Sequence, residues 1–230
     1  MSTKPQPPSS PRRACPSEGL GRESTTATEP APSFPRRRES TQATARILDS
    51  RLRGNDEKVL RGNDEIRLVG LAPVVSPTTR LLVLGSFPGV ASLQAQQYYA
   101  HPRNHFWPIV GALLGVDLMA MLYQQRLAVA RERGLGLWDT YAACQRQGSL
   151  DAAIQKAEFN ELAGLVSALP LLRGIAHNGG ESARGMKFTA SFGVPVFRLP
   201  STSPANASWA FERKLQAWRE AFVATSVIPA

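Results

Sequence analysis

Short apolar runs alternate with longer amphipathic segments through the later part of the chain. Residues 81–84 form a continuous apolar run that ends at Gly85, a pattern typical of a strand buried on both faces of a sheet. Similar short runs occupy 136–138, 174–179 and 194–199. The pattern therefore predicts four buried strands, each followed by polar or turn-forming residues.

The segments between these strands carry apolar residues at helical spacing. They predict four helices, at 106–114, 118–133, 158–169 and about 207–223. Gly134 and Pro170 stand where the second and third of these helices are expected to end. Alternating strands and helices form parallel sheets covered on both faces. The expected fold is therefore α/β, a three-layer α/β/α sandwich with a central, mainly parallel four-stranded sheet.

The beginning of the chain differs in composition from the rest. Pro, Ser, Thr, Arg and Glu dominate 1–66, and periodic apolar positions are scarce there. The segment Leu-Arg-Gly-Asn-Asp-Glu occurs at 52–57 and again at 60–65, a repeat too short for a solenoid unit. This part also resembles translated bacterial intergenic repeat DNA. We expect 1–66 to be a disordered basic tail, or not a genuine part of the protein, and 67–230 to be the functional domain. The alternative for the tail is a basic arm that tethers DNA.

The net charge favours a polyanionic partner. The sequence holds 27 Lys/Arg and 18 Asp/Glu residues, a formal net charge of +9, and residues 69–230 alone carry +5. Nucleic acid is the commonest partner of such a basic surface. No basic amphipathic helix and no apolar run long enough to span a bilayer is visible, so a membrane partner is not expected. No secretory signal is visible either, and the expected location is the cytoplasm, in association with the nucleoid.

Several common kinds of site are missing from the sequence. The two cysteines, Cys15 and Cys144, are far apart, and the three histidines come without an acidic cluster. Neither a metal site nor a cofactor is therefore expected. The sequence also lacks a Gly-rich phosphate loop after the first strand, a pair of carboxylates and a Gly-x-Ser-x-Gly motif.

Polar residues follow the predicted strands, at the edge of the sheet where ligands of parallel sheets bind. They are Ser86, Asp139, Thr140, His177, Asn178, Ser201, Thr202 and Ser203. Between the first two strands lies the aromatic segment "YYAHPRNHFW" at 98–107. Amides, hydroxyls and imidazoles beside aromatic rings suit a planar ligand such as a nucleobase, stacked on a ring and read at its edge. Together with the positive charge, they indicate a base in DNA or RNA.

Three segments resemble a known family. "GSFPG" at 85–89, "YYAHPRNHFW" at 98–107 and "LPSTSPAN" at 199–206 resemble motifs of the uracil-DNA glycosylase superfamily. The resemblance is strongest to its mismatch-specific branch and to the hypoxanthine-DNA glycosylase group, often called family 6, and it spans roughly 81–222. It implies a monofunctional DNA glycosylase that acts in base-excision repair. The expected substrate is a deaminated base, hypoxanthine and/or uracil, including uracil in G·U mismatches.

The resemblance also implies roles for particular residues. Where the family's first motif carries an Asp or Asn that activates water, this sequence has Phe87. The hypoxanthine group shares that departure and uses the asparagine of its second segment, which is Asn104 here. The stacking aromatic is Tyr99, and the amide that reads the base is Asn178. The remaining implied contacts are Gly85, Ser86 and Phe87 with the base, and Ser201, Thr202, Ser203 and Pro204 with DNA.

Each of these residues also has an ordinary structural interpretation. Asn104 suits the N-cap of the helix that follows it, and Asp139 at a strand end suits a cap of the next segment. Asp139 and Asn178 are also the alternatives to Asn104 as the main catalytic group. Asn178 before a glycine suits a turn, as do the serines and threonine at 201–203. Phe106 and Trp107 at helical spacing are typical core residues.

The expected partner is duplex DNA with an extruded damaged or mispaired base, bound by a monomer without a metal ion. No lysine lies in the motifs, so lyase activity is not expected. One rival is a non-catalytic nucleic-acid-binding domain of the same fold, in which Phe87 marks lost chemistry. A second rival is a hydrolase of free nucleosides.

Overall fold

Residues 67–230 are described by a computed structural model, and the predictions about 1–66 lie outside this part of the chain. The strands are β1 (Arg67–Val69), β2 (Leu81–Gly85), β3 (Leu135–Asp139), β4 (Tyr141–Gln145), β5 (Gln155–Phe159), β6 (Gly174–Asn178) and β7 (Val196–Leu199). The helices are α1 (Val90–Ala95), α2 (Phe106–Leu114), α3 (Tyr123–Glu132), α4 (Leu162–Ser167), α5 (Met186–Thr189) and α6 (Phe211–Ala224). Short 3₁₀ turns occupy Leu118–Ala120, Asp151–Ala153, Ser182–Gly185 and Ala190–Phe192. No helix within 67–230 combines the length and the apolar character needed to cross a membrane.

The central sheet has the strand order β3-β2-β6-β7, and its neighbouring strands are parallel. The prediction of a four-stranded parallel sheet in an α/β fold is confirmed. In its register Gly85 lies beside Asp139, and Asn178 lies beside Leu199. The carboxyl ends of the strands therefore meet at one edge, as the sequence predicts.

Both faces of β2 are buried, which explains its unbroken apolar run. Leu81 and Val83 belong to a core cluster with residues of α2 and α6. Leu82 and Leu84 belong to a second cluster with residues of α4. Because successive side chains of a strand point to opposite faces, the sheet lies between two helical layers.

A second sheet, which the sequence did not predict, pairs β1, β4 and β5 antiparallel in that order. Only Thr140 separates β4 from β3, and β5 is largely exposed without apolar alternation. β4 therefore follows β3 too closely to stand out as a separate strand, and β5 lacks the pattern of a buried strand. An apolar cluster of Phe87, Tyr141 and Cys144 joins this sheet to the turn after β2.

The predicted helix at 158–169 is wrong in its first part. The chain is still in β5 up to Phe159, and α4 begins only at Leu162. Pairing with β4 and a 3.0 Å hydrogen bond from the Asn160 N–H to the Thr140 carbonyl hold this segment extended.

Two other helices begin later than predicted. The segment 118–133 starts as a 3₁₀ turn capped by the Asp117 carboxylate, and extended backbone at Met121 and Leu122 separates this turn from α3. Helix α6 begins at Phe211 rather than near 207. The short helices α1 and α5 were not predicted.

Candidate active site

Two polar side chains converge on Gly85, the last residue of β2. A Cβ atom at this position would lie 2.4 Å from Asp139 Oδ1 and 3.7 Å from the Tyr99 hydroxyl oxygen. Any side chain here would collide with the carboxyl group, so glycine is required for the close approach. We call Gly85, Tyr99 and Asp139 the Gly85 cluster.

The Tyr99 ring is supported by Phe106, which is fully buried at the start of α2. The two ring centroids lie 3.8 Å apart, and the ring planes are inclined by only 19°. The φ angle of Tyr99 is 57°, a left-handed conformation that tyrosine rarely adopts. Its hydroxyl oxygen is buried and has no hydrogen-bond partner among the described residues. Burial raises the pKa of this hydroxyl above its ordinary value, and the nearby Asn178 amide offsets part of that effect.

Asp139 is a buried carboxylic acid at the end of β3. Its side chain is 4% exposed, and Oδ2 accepts no hydrogen bond from any residue in 67–230. Burial raises the pKa of Asp139 to about 7. The Tyr98 hydroxyl and the Arg146 guanidinium lower this pKa but do not restore the ordinary value, and Asp151 raises it further. The carboxyl group is therefore partly protonated near neutral pH.

The turn after β2 directs its phenylalanine away from the Gly85 cluster. Phe87 is 6% exposed and packs under the antiparallel sheet against Tyr141 and Cys144. The Arg146 guanidinium lies over the Phe87 ring, 5.1 Å from its centroid, and donates a hydrogen bond to the Pro88 carbonyl. The Ser86 hydroxyl donates to Asp151 at 2.6 Å. The side chains of Phe87 and Ser86 therefore anchor the turn, and contact with a base is open to the turn's backbone alone.

Thr202 links three segments at the same edge of the sheet. Its N–H donates to Asn178 Oδ1 and its hydroxyl accepts from Asn178 Nδ2, both at 2.9 Å. Its carbonyl accepts from the N–H of His105, which precedes α2, at 3.0 Å. Asn178 thus uses both ends of its amide to hold the 201–206 loop. The Thr202 side chain is buried, whereas Ser201, Ser203 and Pro204 are partly exposed.

Asn104 lies at the start of α2, directly before its N-cap residue His105. Its Oδ1 accepts the N–H of Phe106 at 2.9 Å, and its own N–H donates to the His101 carbonyl at 2.8 Å. The cap fixes Asn104 beside the residue whose ring supports Tyr99. Asn104 thus accepts a backbone N–H at the helix start, as a cap does, although the N-cap residue is His105, and its catalytic role stays a prediction.

The three histidines have structural surroundings. His177 is fully buried, and its two ring nitrogens pair with the Ser182 hydroxyl at 3.0 Å and the Thr189 hydroxyl at 2.8 Å. Burial lowers the pKa of His177 to about 4, so the ring is neutral. His101 accepts the N–H of Arg103, and the His105 ring contacts Phe211 edge-on. The inclusion of His177 among the residues of the binding edge is therefore wrong, because its ring points into the core.

Sequence reasoning missed Lys214. This lysine of α6 is 1% exposed, and its ammonium group donates to the Asn206 carbonyl at 2.9 Å. Burial lowers its pKa. This hydrogen bond holds the 201–206 loop against α6. The sequence pattern of an amphipathic helix does not distinguish a buried lysine of this kind from a solvated one.

The structure thus brings Gly85, Tyr99 and Asp139 together, with Asn178 beside them. Aromatic support, buried hydrogen-bonding groups and a neighbouring loop held in a fixed conformation are what recognition of a flat, polar ligand requires. Within 67–230, no three His, Cys or acidic side chains are grouped as a metal site would need.

Comparisons with known proteins show which family the chain resembles. Residues 72–223 match the sequence profile of the Uracil DNA glycosylase superfamily. A protein named "Hypoxanthine DNA glycosylase" from Methanosarcina barkeri is 37% identical over 153 residues, which cover 66% of this chain and 96% of that protein. A protein of the same name from Methanosarcina acetivorans is 35% identical, with the same coverage of both chains.

A solved structure is similar as well. It is a solution NMR structure described as a "putative Uracil DNA glycosylase" from Methanosarcina acetivorans. The sequence identity is 33% and the TM-score is 0.63, and the match covers 70% of this chain and 99% of the other.

Proposed function

Since the chain belongs to the uracil DNA glycosylase superfamily, we propose that it removes hypoxanthine from DNA, and also uracil, including uracil in G·U mismatches. The chain is a DNA glycosylase, a hydrolase of N-glycosyl bonds. The Gly85 cluster is the observation that carries the choice of base. Two buried polar groups without partners among the described residues, Tyr99 Oη and Asp139 Oδ2, lie beside a stacked aromatic pair. Buried polar groups are normally hydrogen-bonded, so a polar ligand is the natural partner for these two.

Tyr99 provides the platform for the extruded base. Phe106 covers one face of the Tyr99 ring, and the base stacks on the other. Base–aromatic stacking contributes about 1–3 kcal/mol per base. Asn178 lies close enough to influence the Tyr99 hydroxyl and holds Thr202 at the same time. Thr202 occupies one N–H and one lone pair of the Asn178 amide. The predicted contact with the base therefore uses the remaining N–H or the remaining lone pair.

Asn104 places the attacking water. Its Oδ1 has two lone pairs, and the cap uses one of them for the Phe106 N–H. The second can hold a water molecule below the sugar. An amide is a weak base, so this role suits a reaction in which the C1′–N bond breaks early and the sugar becomes oxocarbenium-like. Water then adds at C1′, and the proton it releases neutralises the departing base.

The 201–206 loop contacts the DNA backbone through its partly exposed residues Ser201, Ser203 and Pro204. Thr202 is buried and holds the loop in place through its hydrogen bonds to Asn178 and His105. The net charge of +5 on residues 69–230 favours the approach of DNA.

A panel of duplexes tests this function. Purified protein is incubated with duplexes that contain hypoxanthine opposite thymine, uracil opposite guanine or adenine, xanthine, or a G·T mismatch, and with the matching single strands. Released base is measured by chromatography, and abasic sites are detected by alkaline cleavage. We expect release of free hypoxanthine and uracil without strand cleavage before alkali. Release from free inosine at a comparable rate would indicate a nucleoside hydrolase, and tight DNA binding without release would indicate a non-catalytic domain.

A further inference from the structure

The Gly85 cluster contains a carboxylic acid, Asp139, which can donate a hydrogen bond to the base in addition to the water-positioning role given to the Asn104 amide. We propose that Asp139 contacts the extruded base as a neutral carboxylic acid and donates a hydrogen bond to its carbonyl oxygen, so that excision depends on the Asp139 proton. This inference rests on the proposed function and adds a residue that determines its rate and pH range.

The position of Asp139 places its carboxyl group against the base site. Asp139 pairs in register with Gly85, the residue at the carboxyl end of the central strand β2. The absence of a Gly85 side chain leaves room for the carboxyl group, because a Cβ there would meet Oδ1 at 2.4 Å. The Tyr99 hydroxyl oxygen lies near the same point, 3.7 Å from that Cβ position. Tyr99 is the partly exposed member of the cluster, so the base enters from its side.

Oδ2 of Asp139 is a buried atom that the folded chain itself does not satisfy. Its hydrogen-bonding capacity is unused within 67–230, as is that of the Tyr99 hydroxyl. A buried polar group left in this state is unfavourable. Two such groups beside one glycine form the hydrogen-bonding edge of a site, which a ligand with complementary groups satisfies.

The surroundings of Asp139 favour its neutral form. The groups that face it are Tyr98, Tyr99, Arg146 and Asp151. None of these donors is bonded to Oδ2: the Tyr98 hydroxyl lies within hydrogen-bond distance of the carbonyls of Leu71 and Ala72, and Arg146 donates through Nη2 to the Pro88 carbonyl, while its Nε and Nη1 are buried without a hydrogen-bond partner in 67–230. Burial therefore prevails, and it raises the pKa of Asp139 to about 7.

The chemistry of the substrate explains why the proton matters. Hypoxanthine and uracil both present a ring N–H donor next to a carbonyl acceptor. A neutral carboxylic acid offers an O–H donor next to a carbonyl acceptor, and so complements that edge. As the C1′–N bond breaks, its electron pair moves onto the base, and the acid stabilises the negative charge that grows on the base oxygen. A carboxylate would instead repel this charge.

The proton of Asp139 is not consumed in the reaction. It stays on the carboxyl group while the base leaves. The water that adds at C1′ supplies the hydroxyl of the sugar and, through solvent, the proton of the free base. Asp139 therefore acts by hydrogen bonding, and the excision rate falls when its carboxyl group ionises.

Single-turnover excision of hypoxanthine as a function of pH tests the inference on the full chain. For the wild type we expect a rate that is level at acidic pH and falls about tenfold per pH unit once Asp139 ionises. The Asp139→Asn variant carries a permanent donor and acceptor, so it should keep a rate within about tenfold of the wild type and lose the alkaline decline. Asp139→Ala should be slower at every pH, by about 100- to 1,000-fold, the range seen when a donor to a growing oxyanion is removed. Asp117→Asn, an exposed acid-to-amide change at a 3₁₀ turn, is the matched control and should reproduce the wild-type profile.

The outcomes separate the inference from the proposed function. If the Asn variant keeps the alkaline decline, another group titrates and the inference is overturned. If the wild-type rate instead rises with pH and the Asn variant is inactive, Asp139 is a base and the inference is again overturned. Absence of base release at any pH, from hypoxanthine and uracil substrates alike, removes the proposed function and this inference with it. Should the Asn variant fail to fold, the infrared band of a protonated carboxyl decides: it must be present in the wild type on the level part of the profile and vanish along the decline.

Discussion

Asparagine in place of Asp139 is expected to stabilise the folded protein, by an amount that grows as pH rises. The pKa of Asp139 is raised from an ordinary value near 3.8 to about 7, so the folded state binds this proton more tightly than the unfolded chain does. Stability is therefore lost as pH rises from the unfolded pKa to the folded one. Below this window both states hold the proton, and the two variants should be about equally stable.

The size of the effect follows from the same pKa. The shift corresponds to roughly 4 kcal/mol, since one pKa unit is worth about 1.4 kcal/mol. Asp139 is only 4% exposed, so solvent screening does not reduce this figure appreciably. For a domain of this size, the difference is a shift in melting temperature of roughly 10 °C at pH values above the window.

Urea unfolding of wild type and Asp139→Asn, at one pH below the window and one above it, measures this difference. Other titrating groups cancel between the two proteins, because only position 139 differs. Asp117→Asn replaces an exposed acid and should show no pH-dependent gain. An equal stability difference at both pH values would refute the claim that burial dominates the titration of Asp139.

Four further predictions concern the site and the DNA. Asn104→Ala should lower the rate of single-turnover excision by about two to three orders of magnitude. If the variant instead has a lower melting temperature and its folded fraction keeps the wild-type rate, the role of Asn104 is structural and not catalytic. Tyr99→Phe should slow excision about 2- to 10-fold by removing one hydrogen bond, and Tyr99→Ala should slow it more by removing the stacking platform; equal rates for the two variants would contradict the stacking role. The logarithm of DNA affinity should fall linearly with the logarithm of salt concentration, which fluorescence anisotropy measures, and a flat response would count against phosphate contacts. A chain that starts at Arg67 should keep the excision rate, and a tenfold loss at low enzyme would show that the tail contributes.

The parallel sheet could be predicted because burial on both faces leaves a local trace. Leu81–Gly85 is apolar at every position before its glycine, and this pattern depends only on neighbouring residues. The antiparallel sheet leaves no such trace. β5 is exposed at four of its five positions, and it is a strand only because β4 lies beside it. Pairing between distant segments is what single-sequence patterns do not contain.

The candidate site could be predicted in outline for the same reason. Strand ends predicted a polar edge that includes Asp139 and Asn178, and the resemblance to the glycosylase family implied the roles of Gly85, Tyr99 and Asn178. The direction of Phe87 could not be predicted, because it is set by the unpredicted antiparallel sheet. Nor could the ionisation of Asp139, which depends on burial under residues from several separate segments.

Three hydrogen bonds fasten Thr202 to Asn178 and to the start of α2, and they make the loop around it a preformed surface. Ordering a mobile side chain at an interface costs about 0.5–1.5 kcal/mol, and this entropy is lost here when the protein folds rather than when it meets DNA. A rigid loop can sample successive positions along a duplex without being remodelled at each one. The protein then discriminates between normal and damaged sites by how readily the base of each nucleotide leaves the stack.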